Sequence, residues 1–115
     1  MARAATTTDV FNAIAEPRRR QIIEFLARRG ALPVGTLVVA VGLPQPAVSK
    51  HLGVLRKVGV VSVDRSGRQR VYRLNARQLK LVYDWAKMFE QFWTHQLDRI
   101  KQRAEEKARA GNPST

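Results

Sequence analysis

The sequence has no cysteine. That excludes disulfide frameworks, thiolate metal sites and cysteine nucleophiles together. It has two histidines, no phosphate-cradling glycine loop and no paired carboxylates beside a base. An enzyme is therefore not expected, and neither is a metal or other cofactor. No apolar run is long enough to cross a membrane, and the opening MARAATTTDV lacks the apolar core of a signal peptide. A soluble cytoplasmic chain with no membrane partner is the expectation. At 115 residues the core of one domain is modest, so association with a second copy is expected.

Acid is scarce as well. Nine Asp and Glu stand against 21 Lys and Arg, a formal charge of +12. Between Gln45 and Lys80 there are nine basic residues (Lys50, Arg56, Lys57, Arg65, Arg68, Arg70, Arg73, Arg77, Lys80) and one acid, Asp64. Charge scattered for solubility would not cluster in this way. A concentrated positive field attracts phosphate polyanions, and the turns and β-type pattern of the segment favour nucleic acid over an anionic membrane.

Along the chain, Thr8 is expected to cap a first helix, with Asp9 in its first turn and Val10, Phe11 and Ile14 as a short apolar stripe. Pro17 suits the first position of a second helix that carries Ile22, Ile23 and Leu26 on one face and ends at Gly30. The run Arg18 to Arg20 reads as a solvated face. In LPVGTLVVAVGL the valines could make a strand by propensity, but the context favours a short helix ending at Gly42. Pro44 and Pro46 then start another helix, whose Val48, Leu52, Leu55 and Val58 recur at spacings of four and three. Two short helices joined through Gly42 make a helix-turn-helix.

In that motif the leading residues of the second helix reach base edges in the major groove. Here they are Gln45, Ser49 and Lys50 with His51 adjacent, and Arg56 is a cationic residue near the other end. The plainer alternative for His51 is an internal histidine bonded to a neighbour. After Gly59 the pattern alternates on either side of Ser66-Gly67, a two-stranded hairpin with Arg65, Arg68 and Arg70 at its tip. A basic hairpin directly after such a helix is a wing, placed to touch flanking phosphates or the minor groove.

From Asn75, a plausible cap, one long helix is expected to run to about Ala110. Leu79, Val82, Ala86, Phe89, Trp93, Gln96 and Ile100 form its seam, widened by Tyr83, Trp85, Phe92 and Leu97. A second copy is the simplest cover for that much apolar surface. Residues 1–7 and 111–115 are expected to be flexible ends around a domain at 8–110, with KARAGNPST a frayed tail.

The stretch GLPQPAVSKHLGVLRKVGVVSVDRSGRQRVYRL, with AEPRRRQIIEFL before it, resembles the ArsR-type winged helix-turn-helix repressors over nearly the whole chain. The resemblance implies a mainly α fold with a two-stranded wing. It also implies a homodimer on palindromic operator DNA and repression of transcription. It assigns base contacts to Gln45, Ser49, Lys50 and His51, backbone contacts to the wing arginines, and the dimer interface to the first and last helices: Val10, Phe11, Ile14, Val82, Phe89, Trp93 and Ile100.

The chain departs from the pattern in two places. Pro44 stands where a Ser or Thr cap is usual, and Pro33 and Gly35 occupy the Cys-x-Cys positions of the arsenic and cadmium sensors. The family's second metal site, on the last helix, is matched only in part by Asp84, His95 and Asp98, since Val82 replaces a ligand. A metal-responsive repressor and a non-specific architectural DNA binder are the alternative readings. The aromatic end WAKMFEQFWTHQL resembles the non-metal branch, which implies release through expression level or a small apolar effector.

Overall fold

The computed structural model describes residues 9–111. The chain falls into two compact units, one ending at Val82 and the other beginning at Tyr83. Thr8 lies outside the described residues, as do 1–7 and 112–115. The cap of the first helix is Asp9, whose carboxylate accepts from the Phe11 N–H at 2.9 Å. Helix α1 is only Val10–Ala15. Its inward positions are Val10 and Ala13, three apart and both buried. Val10, expected at a dimer interface, is buried in the core of its own chain, whereas Phe11 is 39% exposed and Ile14 is half-buried.

Helix α2, Pro17–Arg29, opens on Pro17 as expected and ends at Gly30, whose N–H returns to the Leu26 carbonyl. Ile22 and Leu26 face the core. Arg18 and Arg20 are exposed, as a solvated face requires, and Arg19 is half-buried, but the guanidiniums of Arg19 and Arg20 are engaged. Arg19 Nη1 donates to the Ala13 carbonyl at 2.9 Å, and Arg20 Nη1 donates to the Ile14 and Ala15 carbonyls at 2.8 and 3.1 Å. Two guanidiniums thus satisfy the carbonyls that α1 leaves open at its end.

LPVGTLVVAVGL divides between two states. Leu32–Pro33 is a short strand, β1, and Val34–Val41 is helix α3, with Leu37 and Val41 buried. Gly42 ends α3 in the left-handed region at φ 77°. Helix α4, Gln45–Lys57, turns Val48, Leu52 and Leu55 into the core. Each such fully buried apolar side chain contributes about 1.5–3 kcal/mol, so these positions, rather than any surface ion pair, hold α4 in place.

The end of α4 turns the chain sharply into the sheet. The Gly59 N–H bonds the Arg56 carbonyl at 3.0 Å and the Val60 N–H bonds the Leu55 carbonyl at 2.9 Å. This double closure around a left-handed residue is a Schellman motif, and Gly59 has φ 83°. Val60 and Leu55, which the motif brings together, are both fully buried.

Strands β2, Val61–Ser66, and β3, Gln69–Leu74, form the hairpin. Ser66 pairs with Gln69, so the turn is Gly67-Arg68 rather than Ser66-Gly67. Gly67 supplies the positive φ, 65°, at the first turn position. The expected two-stranded wing is corrected to a three-stranded sheet of order β1-β3-β2, because Leu32 and Pro33 pair with Tyr72 and Val71.

The single long helix is also corrected. Asn75 does cap, accepting from Arg77 N–H, but what it caps is a 3-10 turn, Ala76–Leu79. Helix α5, Lys80–Lys87, comes next, and α6 runs Glu90–Gly111, so the helix extends past Lys107 where a frayed tail was expected. Between them Met88 N–H bonds Trp85 O at 3.2 Å and Phe89 N–H bonds Ala86 O at 3.0 Å. These shorter-span bonds tighten the backbone and break the α-helix without a proline or glycine. Leu79 and Val82 pack against the core of the first unit, which takes Val82 out of a fully exposed seam.

Candidate nucleic-acid interface

Helix α4 is two-faced. Beside its buried Val48, Leu52 and Leu55 it exposes Gln45, Ser49, Lys50 and Arg56. Gln45 is the first helical residue, after Pro44 as N-cap. As expected from the sequence, Pro44 provides no side-chain cap. Its carbonyl still accepts from Ala47 and Val48 N–H at 3.0 and 3.1 Å, so the first turn is regular. An N-terminus without a side-chain cap leaves the positive end of the helix dipole facing outward, where a phosphate is favoured.

His51 is different. It is half-buried, and its Nδ1 accepts from Arg19 Nε at 3.3 Å. The plainer reading, a histidine bonded to a neighbour, therefore describes one of its two ring nitrogens. The neighbour was not legible, being 32 positions away.

The arginines of the wing are gathered as expected. Arg65 and Arg70 are directly opposed across the strands, and Arg68 occupies the turn between them. Like charges in that register cost about 0.2–1 kcal/mol. Asp64 does nothing to relieve them, because it pairs with Arg73 at 2.6 Å on the diagonal. An exposed pair of this kind contributes at most about 1 kcal/mol. Its effect on the field is larger: Asp64 neutralises Arg73 and leaves the three arginines of the tip as a cationic spot.

The positions of the missing thiolates, Pro33 and Gly35, lie with Val34 and Thr36 along a hollow of about 500 Å³ whose other side is Arg68, Gln69 and Arg70. On α6, His95 and Asp98 share an open groove with Glu90, but Asp84 does not line it. Among the described residues no three His, Asp or Glu side chains gather as a metal-holding group.

Glu16, missed by the sequence reading, holds the start of α2. Its Oε1 accepts from Arg18 and Arg19 N–H at 2.6 and 3.3 Å. Desolvation opposes ionisation there, but the two N–H donors and the charges of His51 and Arg19 together outweigh it, and the carboxyl is held below its usual range. A group depressed in this way contributes stability that is present above its unfolded value and lost as pH falls through the folded one. Glu16→Gln keeps an acceptor but no charge. Urea unfolding of the variant should accordingly weaken less than that of the wild type as the pH is lowered below about 5. Parallel acid limbs for the two proteins would show that Glu16 makes no such contribution.

A helix-turn-helix joined to a small sheet has many solved counterparts. Residues 16–63 match the family model described as bacterial regulatory protein, arsR family. The HTH-type transcriptional regulator NmtR of Mycobacterium tuberculosis is 46% identical over 83 residues, which cover 72% of this chain and 68% of that one. The transcriptional repressor SdpR of Bacillus subtilis is 32% identical over 77 residues, 67% of this chain and 84% of its own. Among solved structures, the homodimeric winged helix-turn-helix DNA-binding domain Mb0332 from Mycobacterium bovis is 26% identical. It covers 78% of this chain and 83% of that chain with a TM-score of 0.61. The protein is thus a transcriptional regulator. It belongs to the arsR family. No helix among the described residues is long and apolar enough to cross a membrane.

Proposed function

We propose that the protein is a repressor that binds a palindromic operator in double-stranded DNA as a homodimer, in the bacterial cytoplasm. Gln45, Ser49, Lys50 and His51 read base edges from α4. Arg56, Arg65, Arg68 and Arg70 hold the phosphate backbone. The observation that carries this reading is the facing of Arg65 and Arg70 across the wing with Arg68 in its turn. Such a spot is unfavourable in the free protein and is relieved by a polyanion. The homodimeric DNA-binding domain of the Mycobacterium bovis relative and the repressor from Bacillus subtilis support the same assignment. The second copy covers α6, where Phe92, Trp93, Gln96, Leu97 and Ile100 line an apolar hollow of about 500 Å³. A small apolar effector would compete with that copy for the hollow.

The test is selection of duplexes from random sequence, followed by a salt titration on the recovered operator. Each arginine that neutralises a phosphate releases counterion, so log K falls linearly with log salt. Arg68→Ala should weaken selected and random duplexes alike. It should also reduce the slope by about one for each phosphate no longer neutralised, or about two in a symmetric dimer. A changed base preference would make the wing a reader of sequence. Failure to enrich any sequence would point to non-specific DNA binding.

A further inference from the structure

Arg19 lies where three helices meet. Its Nη1 donates to the Ala13 carbonyl of α1 at 2.9 Å, its backbone belongs to α2, and its Nε donates to His51 Nδ1 of α4 at 3.3 Å. A ring nitrogen that accepts an N–H must offer its lone pair, and a guanidinium can only donate. Nδ1 of His51 is therefore bare, and a neutral ring carries its proton on Nε2.

We propose that Arg19 is a positioning residue for DNA reading: it fixes His51 in the Nε2–H tautomer. His51 then presents DNA with a donor, suited to a phosphate oxygen or to O6 and N7 of guanine, and not with an acceptor. The inference rests on the reading of α4 as the DNA-facing helix. A lysine at position 19 would keep the charge but not the rigid fork that reaches a carbonyl and an imidazole together.

The proton position is read in the free, full-length protein from histidine-ring ¹⁵N–¹H spectra at a pH where the rings are neutral. The chain has two histidines, so His95→Gln assigns the signals. His51 should show a protonated Nε2 and an accepting Nδ1, and Arg19→Lys should relax it to a mixture of tautomers with far-UV circular dichroism unchanged. On the duplex recovered by selection, Arg19→Lys and His51→Ala should each weaken binding roughly ten-fold. The double variant should be no weaker than His51→Ala, because both remove one interaction. His51→Gln, whose amide nitrogen lies near the place of Nε2, should recover affinity to within about two-fold. A wild-type ring protonated on Nδ1, or additive losses in the double variant, overturns the proposal while the DNA-facing reading stands. A chain with the Nε2–H ring that binds no duplex overturns that reading, and the positioning role falls with it.

Discussion

A chain carrying Phe89→Glu and Trp93→Glu should sediment as a monomer and bind operator about 10²–10⁴-fold more weakly. The two aromatics are 37% and 50% exposed, and further along α6 Leu97 and Ile100 are 62% and 59% exposed. Trp85, Phe89 and Phe92 are ordered among themselves, with ring centroids 5.3 and 6.4 Å apart in tilted or edge-on pairs. That geometry presents a preformed apolar face rather than loose side chains, and large aromatics at the centre of an interface are each worth about 2 kcal/mol or more. In a twofold interface each substitution occurs twice, and every glutamate would have to be desolvated without a partner. The combined penalty exceeds what a modest interface supplies.

In the proposed complex each subunit grips one half-site, so operator binding should fall when the dimer is lost. The second half-site contributes through effective concentration, which is worth factors of about 10²–10⁴ when two modules are joined. The fold of the first unit should survive, since its core of Ile22, Leu26, Leu37, Leu52 and Leu55 lies before Val82. Sedimentation and circular dichroism on the same sample separate the two effects. A folded variant that remains dimeric would remove α6 from the interface, and a monomeric wild type that grips operator tightly would remove the dimer from the mechanism.

Legibility differed between local and non-local features. Pro17, Gly30, Gly42 and Gly59 each act within a few residues of their own position, by blocking a helical N–H or permitting positive φ, and each boundary they mark is where the structure has it. The two-faced character of α4 was evident from spacing alone. Strand β1 was invisible because two residues carry no period, and it exists only through pairing with β3, some 40 positions later. The break between α5 and α6 was missed for a related reason: the apolar seam continues through Met88 and Phe89 while the backbone hydrogen bonds shorten their span.

The candidate interface was legible as a set of side chains, and Gln45, Ser49, Lys50 and the wing arginines do stand in exposed positions. What the sequence could not express was which charges are already engaged. Arg73 is taken by Asp64, Arg20 by the end of α1, and Arg19 by Ala13 and His51. Each of these pairings crosses elements. Val10 shows the same limit at the scale of one helix. In six residues the stripe Val10, Phe11 and Ile14 spans more than one face, and packing chose Val10 with Ala13 for the core.

Gln45→Ala should cost roughly 1–3 kcal/mol at each half-site of the true operator, the worth of one bidentate pair with an adenine edge. Gln45 begins α4 and is exposed, and the Pro44 carbonyl accepts from Ala47 and Val48 as an ordinary first turn does. Proline on either side therefore fixes the direction of the helix start rather than deflecting it. A side chain in that place enters the major groove first. The loss should fall on a single base-pair position in each half-site, and the half-sites should lie about one helical turn apart or a multiple of it. Affinity for random duplex should scarcely change, because the groups that grip phosphate are all retained. Binding measured across a panel of singly substituted operators distinguishes the cases. If every sequence weakens equally, Gln45 only seats the helix. Discrimination then rests on Ser49, Lys50 and His51, or on the cost of deforming the duplex between the half-sites.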